Sequence, residues 1–150
     1  MKSMKPIWRL SLDETGSAMV ELAFTMPLLL LILFGAVDMG RMFYTLVTVT
    51  GSAVAGAQFG VAVSSNNADF TGMQQAALND VGNISGVTAT ATSYCECLDG
   101  TPVSCNGTCS GVAPPKYLKV STTATFATLF SYPLLPSTVP LSGVSVQRVQ

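Results

Sequence analysis

Residues 22–37 (LAFTMPLLLLILFGAV) hold no charged side chain, and Glu21 and Asp38 close the run at its two ends. As a helix this run covers about 24 Å at ~1.5 Å per residue. Counted from Ser17 the apolar stretch reaches roughly 31 Å, close to the ~30 Å hydrocarbon thickness of a bilayer. A helix of this length in a water-soluble domain keeps a polar face, and residues 28–34 have none. The stretch is therefore expected to span a membrane. Lys2, Lys5 and Arg9 precede it, which by the positive-inside rule puts the N-terminus in the cytoplasm and everything after about residue 42 outside. Two alternatives stand beside this reading. One is the buried helix of a soluble domain. The other is a cleavable secretory signal, whose small-residue cleavage sites (Ala53-Val54-Ala55 or Ala55-Gly56-Ala57) would lie well beyond the apolar core.

Composition agrees with a membrane segment plus one small domain: 10% of the 150 residues are charged and 49% are apolar. No base occurs between Arg41 and Lys116, whereas Asp69, Asp80, Glu96 and Asp99 do. Phosphate neutralisation in number is thus out of reach, and nucleic acid is not an expected partner. The chain has no histidine, which removes the commonest general base and the commonest metal ligand. No nucleophile elbow or framed carboxylate pair is present either. No catalytic, cofactor or metal site is expected.

Downstream, residues 45–63 continue a helix rich in small residues, with Ser52, Gly56 and Gly60 four apart on one stripe. Such a stripe lets a second helix approach closely, or packs the helix on its own small domain. The β-branched run from Thr45 to Thr50 weakens the helical expectation, and Asn66-Asn67 ends the element. Residues 68–80 predict a short second helix with Phe70, Met73 and Leu78 on its apolar side and a stop near Gly82. After Gly86 the period changes to two. One strand has Val87, Ala89, Ala91, Ser93, Cys95 and Cys97 on one face; a second has Leu118, Val120, Ala124 and Phe126. The tail, residues 139–150, predicts a third. The fold class is α+β: a long N-terminal membrane-spanning helix running into a small extracytoplasmic domain with a short helix and a small antiparallel sheet.

The cysteines follow C-x-C-x7-C-x3-C at Cys95, Cys97, Cys105 and Cys109. Structural zinc sites favour wider knuckles than C-x-C. An even, clustered set beyond a membrane segment favours disulfides. Three pairings are open; a nested one, Cys97 with Cys105 and Cys95 with Cys109, is expected across a hairpin. The sequons at Asn83 and Asn106 are read as chance.

Gly16-Ser17-Ala18-Met19-Val20-Glu21 leads into the apolar run. A glycine, then a glutamate five residues on at the mouth of an apolar helix, resembles the processing site of type IV pilins and pseudopilins. The resemblance implies cleavage by a prepilin peptidase between Gly16 and Ser17, and a Glu21 that neutralises an α-amino group during assembly. The physics is compatible: an acid inside a spanning segment costs ~2.5–3.5 kcal/mol and needs a partner. The run from Val20 to Val61 is further similar to the TadE-like family, minor pseudopilins of the tight adherence (Tad/Flp) pilus machinery. Pro27 followed by leucines, then Gly35, Asp38, Gly40 and Arg41, then an alanine- and glycine-rich helix carry the likeness. Leu22 departs from the aromatic the family more often has there. Weaker likenesses lie at Val120, Tyr132-Pro133 and a terminal strand ending near Arg148. Pro27 removes a helix hydrogen bond to the Ala23 carbonyl. Asp38 and Arg41, three apart, are expected to pair on one helix face as an interfacial anchor, worth under ~1 kcal/mol if solvated.

The resemblance implies a non-enzymatic minor pilin or pseudopilin of a bacterial inner membrane, acting in pilus assembly or cell adhesion. Its partners would be the prepilin peptidase, other pilins and the lipid bilayer. The expected organisation is a leader (1–16), a transmembrane helix (17–41), a helical continuation with the second helix (42–82) and a disulfide-bearing β domain (83–150). The alternative is a single-pass, membrane-anchored binding module that joins no filament.

Overall fold

The computed structural model describes residues 14–130 and 136–149. Helix α1 (Glu14–Ala62) is followed by a 3₁₀ turn (Ser64–Ala68), helix α2 (Phe70–Asp80) and strands β1 (Thr88–Glu96), β2 (Pro102–Val103), β3 (Lys116–Ala127) and β4 (Thr138–Arg148). The strands form one antiparallel sheet in the order β2-β1-β3-β4. The fold class is α+β, as the periodicity predicts. The chain divides after Val37, and Asp38–Gln150 is a unit with its own core.

Helix α1 persists through the β-branched run. Thr45, Thr48 and Thr50 each donate a side-chain hydrogen bond to the carbonyl four residues back, at 2.8–3.0 Å, so their hydroxyls are satisfied without leaving the helix. The helix ends where Asn66 intervenes. Its side-chain amide donates to the Phe59 carbonyl at 3.1 Å, and its backbone N–H to Val63 at 2.9 Å. These bonds take up C-terminal carbonyls that lack helical partners. Asp69 opens α2 by accepting from the Gly72 N–H at 2.8 Å, as an N-cap does.

From residue 49 onward α1 buries a stripe of Val49, Ser52, Ala53, Gly56, Ala57 and Gly60, the i, i+3, i+4, i+7 spacing of one helix face. Opposite lie Leu118 and Val120 of β3, Ala91 of β1, and Met73 and Ala77 of α2. Burying a side chain such as Leu118 or Met73 fully contributes about 1.5–3 kcal/mol. In α2 the inward positions are Met73 and Ala77, while Leu78 is partly exposed. This corrects the expected apolar side: 70, 73 and 77 fall on one helical face, and Leu78 stands about 100° away from Ala77.

Strands β1 and β3 bury the faces that alternation predicts, with one addition. Thr122 sits on the inward face of β3, wholly buried, and its hydroxyl donates to the Val49 carbonyl at 2.6 Å. Ser52 donates to the same carbonyl at 2.8 Å. Two polar groups are thereby satisfied inside the core. Beside them Gly143 of β4 lies so near α1 that a Cβ there would meet the Val49 carbonyl oxygen at 2.7 Å. Helix and sheet meet backbone to backbone at that crossing. The sheet has a strand more than expected: β2 is two residues long and begins with Pro102, which an edge position tolerates.

Candidate functional site

Three groups of residues bear on function. The first is the upstream part of α1. Gly16, Ser17 and Glu21 are exposed, and no residue from 16 to 37 is buried. Among the described residues a Cβ at Gly16 would meet nothing within 4 Å, so their packing does not require glycine there. Thr25 donates its hydroxyl to the Glu21 carbonyl at 3.0 Å. Pro27 lies inside the helix without ending it, as spanning helices allow. The helix qualifies as a candidate membrane span by length and hydropathy, and none of its most apolar window is buried.

The second group stands where the uncharged run ends. Asp38 is 5% exposed. Both of its carboxylate oxygens accept from the backbone N–H of Leu129, at 3.1 and 3.2 Å. Oδ1 also accepts from an Arg41 guanidinium nitrogen at 3.1 Å, and that guanidinium lies 5.3 Å from the centre of the Phe126 ring. The expected Asp38–Arg41 pair is present. Asp38 is buried because it ties α1 to the β3–β4 connection. Sequence spacing shows that Asp38 and Arg41 can meet; it carries no signal for a partner ninety-one residues away.

The third group is the cysteine loop. Cys95 is bonded to Cys105 and Cys97 to Cys109, with Cα–Cα separations of 5.1 and 5.6 Å. The cysteines are disulfide-bonded as expected, and no thiolate is left for the zinc alternative. The nested pairing is overturned, and the register shows why. Cys95 stands opposite Val103 and Glu96 opposite Pro102, so Cys97 faces Thr101, whose carbonyl takes its N–H at 2.9 Å. Cys105, two residues past Val103, lies on the Cys95 side of the hairpin. A turn closed by the Gly107 N–H on the Ser104 carbonyl at 2.7 Å then returns Cys109 to Cys97. Loops of this size contribute about 2–4 kcal/mol per bridge, and β2 with its flanks has little core of its own. At the tip, the backbone N–H of Thr101 donates to the Asp99 side chain at 3.0 Å and, with the Thr101 hydroxyl, holds that exposed carboxyl below its ordinary range.

The stripe of Ser52, Gly56 and Gly60 faces the chain's own α2 and β3. A Cβ on Gly56 would come within 2.7 Å of the Met73 carbonyl oxygen, and one on Gly60 within 2.7 Å of Leu118 and Met73 side-chain carbons. Tyr132 and Pro133 lie outside the described residues, as do residues 1–13 of the expected leader.

A protein-family model described as TadE-like protein matches residues 16–58. That segment is similar to the TadE-like family. The TadE-like segment lies wholly within α1 and contains Gly16, Glu21, Pro27, Asp38 and Arg41; the sheet lies beyond it. No curated protein and no solved structure matches the chain.

Proposed function

We propose that this chain is a structural, non-enzymatic minor pilin or pseudopilin of a tight adherence (Flp-type) pilus, anchored in the bacterial inner membrane. The TadE-like match supports involvement in that pilus system. The observation that carries the finer reading is the state of residues 16–37: an apolar helix exposed on all sides, with Glu21 near its start and no buried position along it. Such a surface needs lipid or other apolar helices around it. A carboxylate near its threshold needs a cation, and an ammonium freed at Ser17 by a prepilin peptidase, on this chain or a neighbouring one, supplies it. The open space around Gly16 supports a requirement for glycine that comes from the peptidase. In this reading residues 1–16 are a cytoplasmic leader and the disulfide-bearing domain is periplasmic or extracellular, where disulfides persist.

N-terminal sequencing of the protein from native membranes should begin at Ser17. Gly16→Val should leave the precursor uncut, and Glu21→Ala should insert normally yet assemble poorly. A chain that keeps Met1 in piliated cells, or normal piliation with both variants, refutes the proposal.

A further inference from the structure

We propose that the start of the β3–β4 connection, Leu129 with Phe130, is a membrane-contact surface seated at the headgroup–acyl boundary. The inference rests on the reading that residues 16–37 span a bilayer, and goes beyond it by assigning a second lipid contact to the sheet domain.

The span itself sets the depth. Asp38 is the first residue after the uncharged run, so a spanning helix places it at the outer rim of the hydrocarbon. Its buried carboxylate holds the Leu129 N–H with both oxygens. Whatever depth Asp38 has, the backbone of Leu129 shares it to within a hydrogen bond. At that level the chain turns two large apolar side chains outward: Leu129 is 59% and Phe130 40% exposed, whereas Phe126, one turn of strand earlier, is 6% exposed. Apolar side chains at a rim gain by entering the acyl region, and aromatic rings favour the headgroup level.

Charge points the same way. Residues 120–147 contain no Asp, Glu, Lys or Arg, so strands and connection approach lipid without carrying an ion into it. Beside Leu129 stands Asp38, which is ion-paired with Arg41, whose side chain is 45% exposed. An arginine at this depth can lay its stem along apolar surface and turn its head to phosphate. Leu98 and Val112, also large, apolar and exposed, belong to the disulfide loop. That loop lies at the opposite end of the sheet, where β1 pairs with the start of β3, and no residue of known depth is bonded to it.

The test uses the full chain in phosphatidylethanolamine–phosphatidylglycerol vesicles with Trp8→Phe, which removes the native tryptophan. Leu129→Trp keeps the backbone N–H and should emit to the blue of Val112→Trp and lose emission to acyl-brominated lipid, while Val112→Trp does not. Leu29→Trp, inside the run, reports the span. If Leu29→Trp is quenched and Leu129→Trp is not, the inference fails alone: red emission means the loop is in water, and blue emission without quenching means protein covers it. If Leu29→Trp is not quenched, the spanning reading fails and takes the inference with it. Asp38→Ala, checked for intact disulfides, should reduce quenching at Leu129→Trp and spare Leu29→Trp; unchanged quenching overturns the tether.

Discussion

Helix α1 carries two stretches that follow opposite rules. From residue 16 to 37 nothing is buried, and the side chains pointing outward are leucines, methionines and phenylalanines. From residue 49 to 60 the outward positions include Gln58 and Gly51, and the inward ones are Val49, Ser52, Ala53, Gly56, Ala57 and Gly60. The second stretch is stable because a sheet and α2 cover its small-residue face. Among the described residues nothing buries the first. On the reading that residues 16–37 span a bilayer, large apolar residues face outward where the solvent is lipid, and small ones face inward where backbone must meet backbone. Asp38 marks the change in pattern.

That contrast can be broken by placing the same substitution in both stretches. The largest difference is expected for leucine to alanine. Leu118→Ala, in the core beneath α1, should cost about 2–5 kcal/mol of domain stability. Leu29→Ala should change it by less than about 0.5 kcal/mol. Urea titration of both variants in detergent, followed through the tyrosines, checks this; equal losses would mean that residue 29 is packed inside the protein. A lysine sharpens the membrane side. Leu29→Lys should disfavour insertion by about 2.5–3.5 kcal/mol, while Gln58→Lys should stay within about 0.5 kcal/mol in either assay. A membrane-insertion assay separates them. The smallest effect, and the one that changes sign, comes from glycine to alanine. Gly56→Ala drives a methyl group at the Met73 carbonyl and should destabilise by about 1–3 kcal/mol. Gly40→Ala meets nothing within 4 Å and should stabilise the helix by up to about 1 kcal/mol. Thermal unfolding of the two single variants reads both signs.

Much of the architecture was legible before any coordinates. The uncharged run announced the exposed helix, and alternation at Ala89, Ala91 and Cys95 and at Leu118, Val120 and Phe126 announced the buried strand faces. These patterns are local: a period of 3.6 or 2 reports which side of an element is covered, whatever covers it. Expectations that needed a partner elsewhere in the chain fared worse. Leu78 was assigned inward because it is apolar, but the helical face through Phe70 and Met73 passes Ala77. The cysteines were rightly read as disulfide-bonded, yet their pairing turned on the hairpin register, which Pro102 and Val103 set by pairing with Glu96 and Cys95. Thr122 has the right parity for the core, but a buried hydroxyl is credible only once its acceptor, the Val49 carbonyl, is known.

By itself, the sequence determined that one segment is long and apolar enough to span a membrane, that an α+β fold follows, and that Gly16 and Glu21 stand at the start of the apolar run. Side-chain transfer energies and backbone periodicity suffice for that, since both act residue by residue. Only the tertiary structure decided that Asp38 is buried, that its carboxylate holds Leu129, and that Cys95 meets Cys105. Each of those facts joins residues separated by ten to ninety-one positions. Such contacts are selected by the folded geometry as a whole, and no local pattern records them.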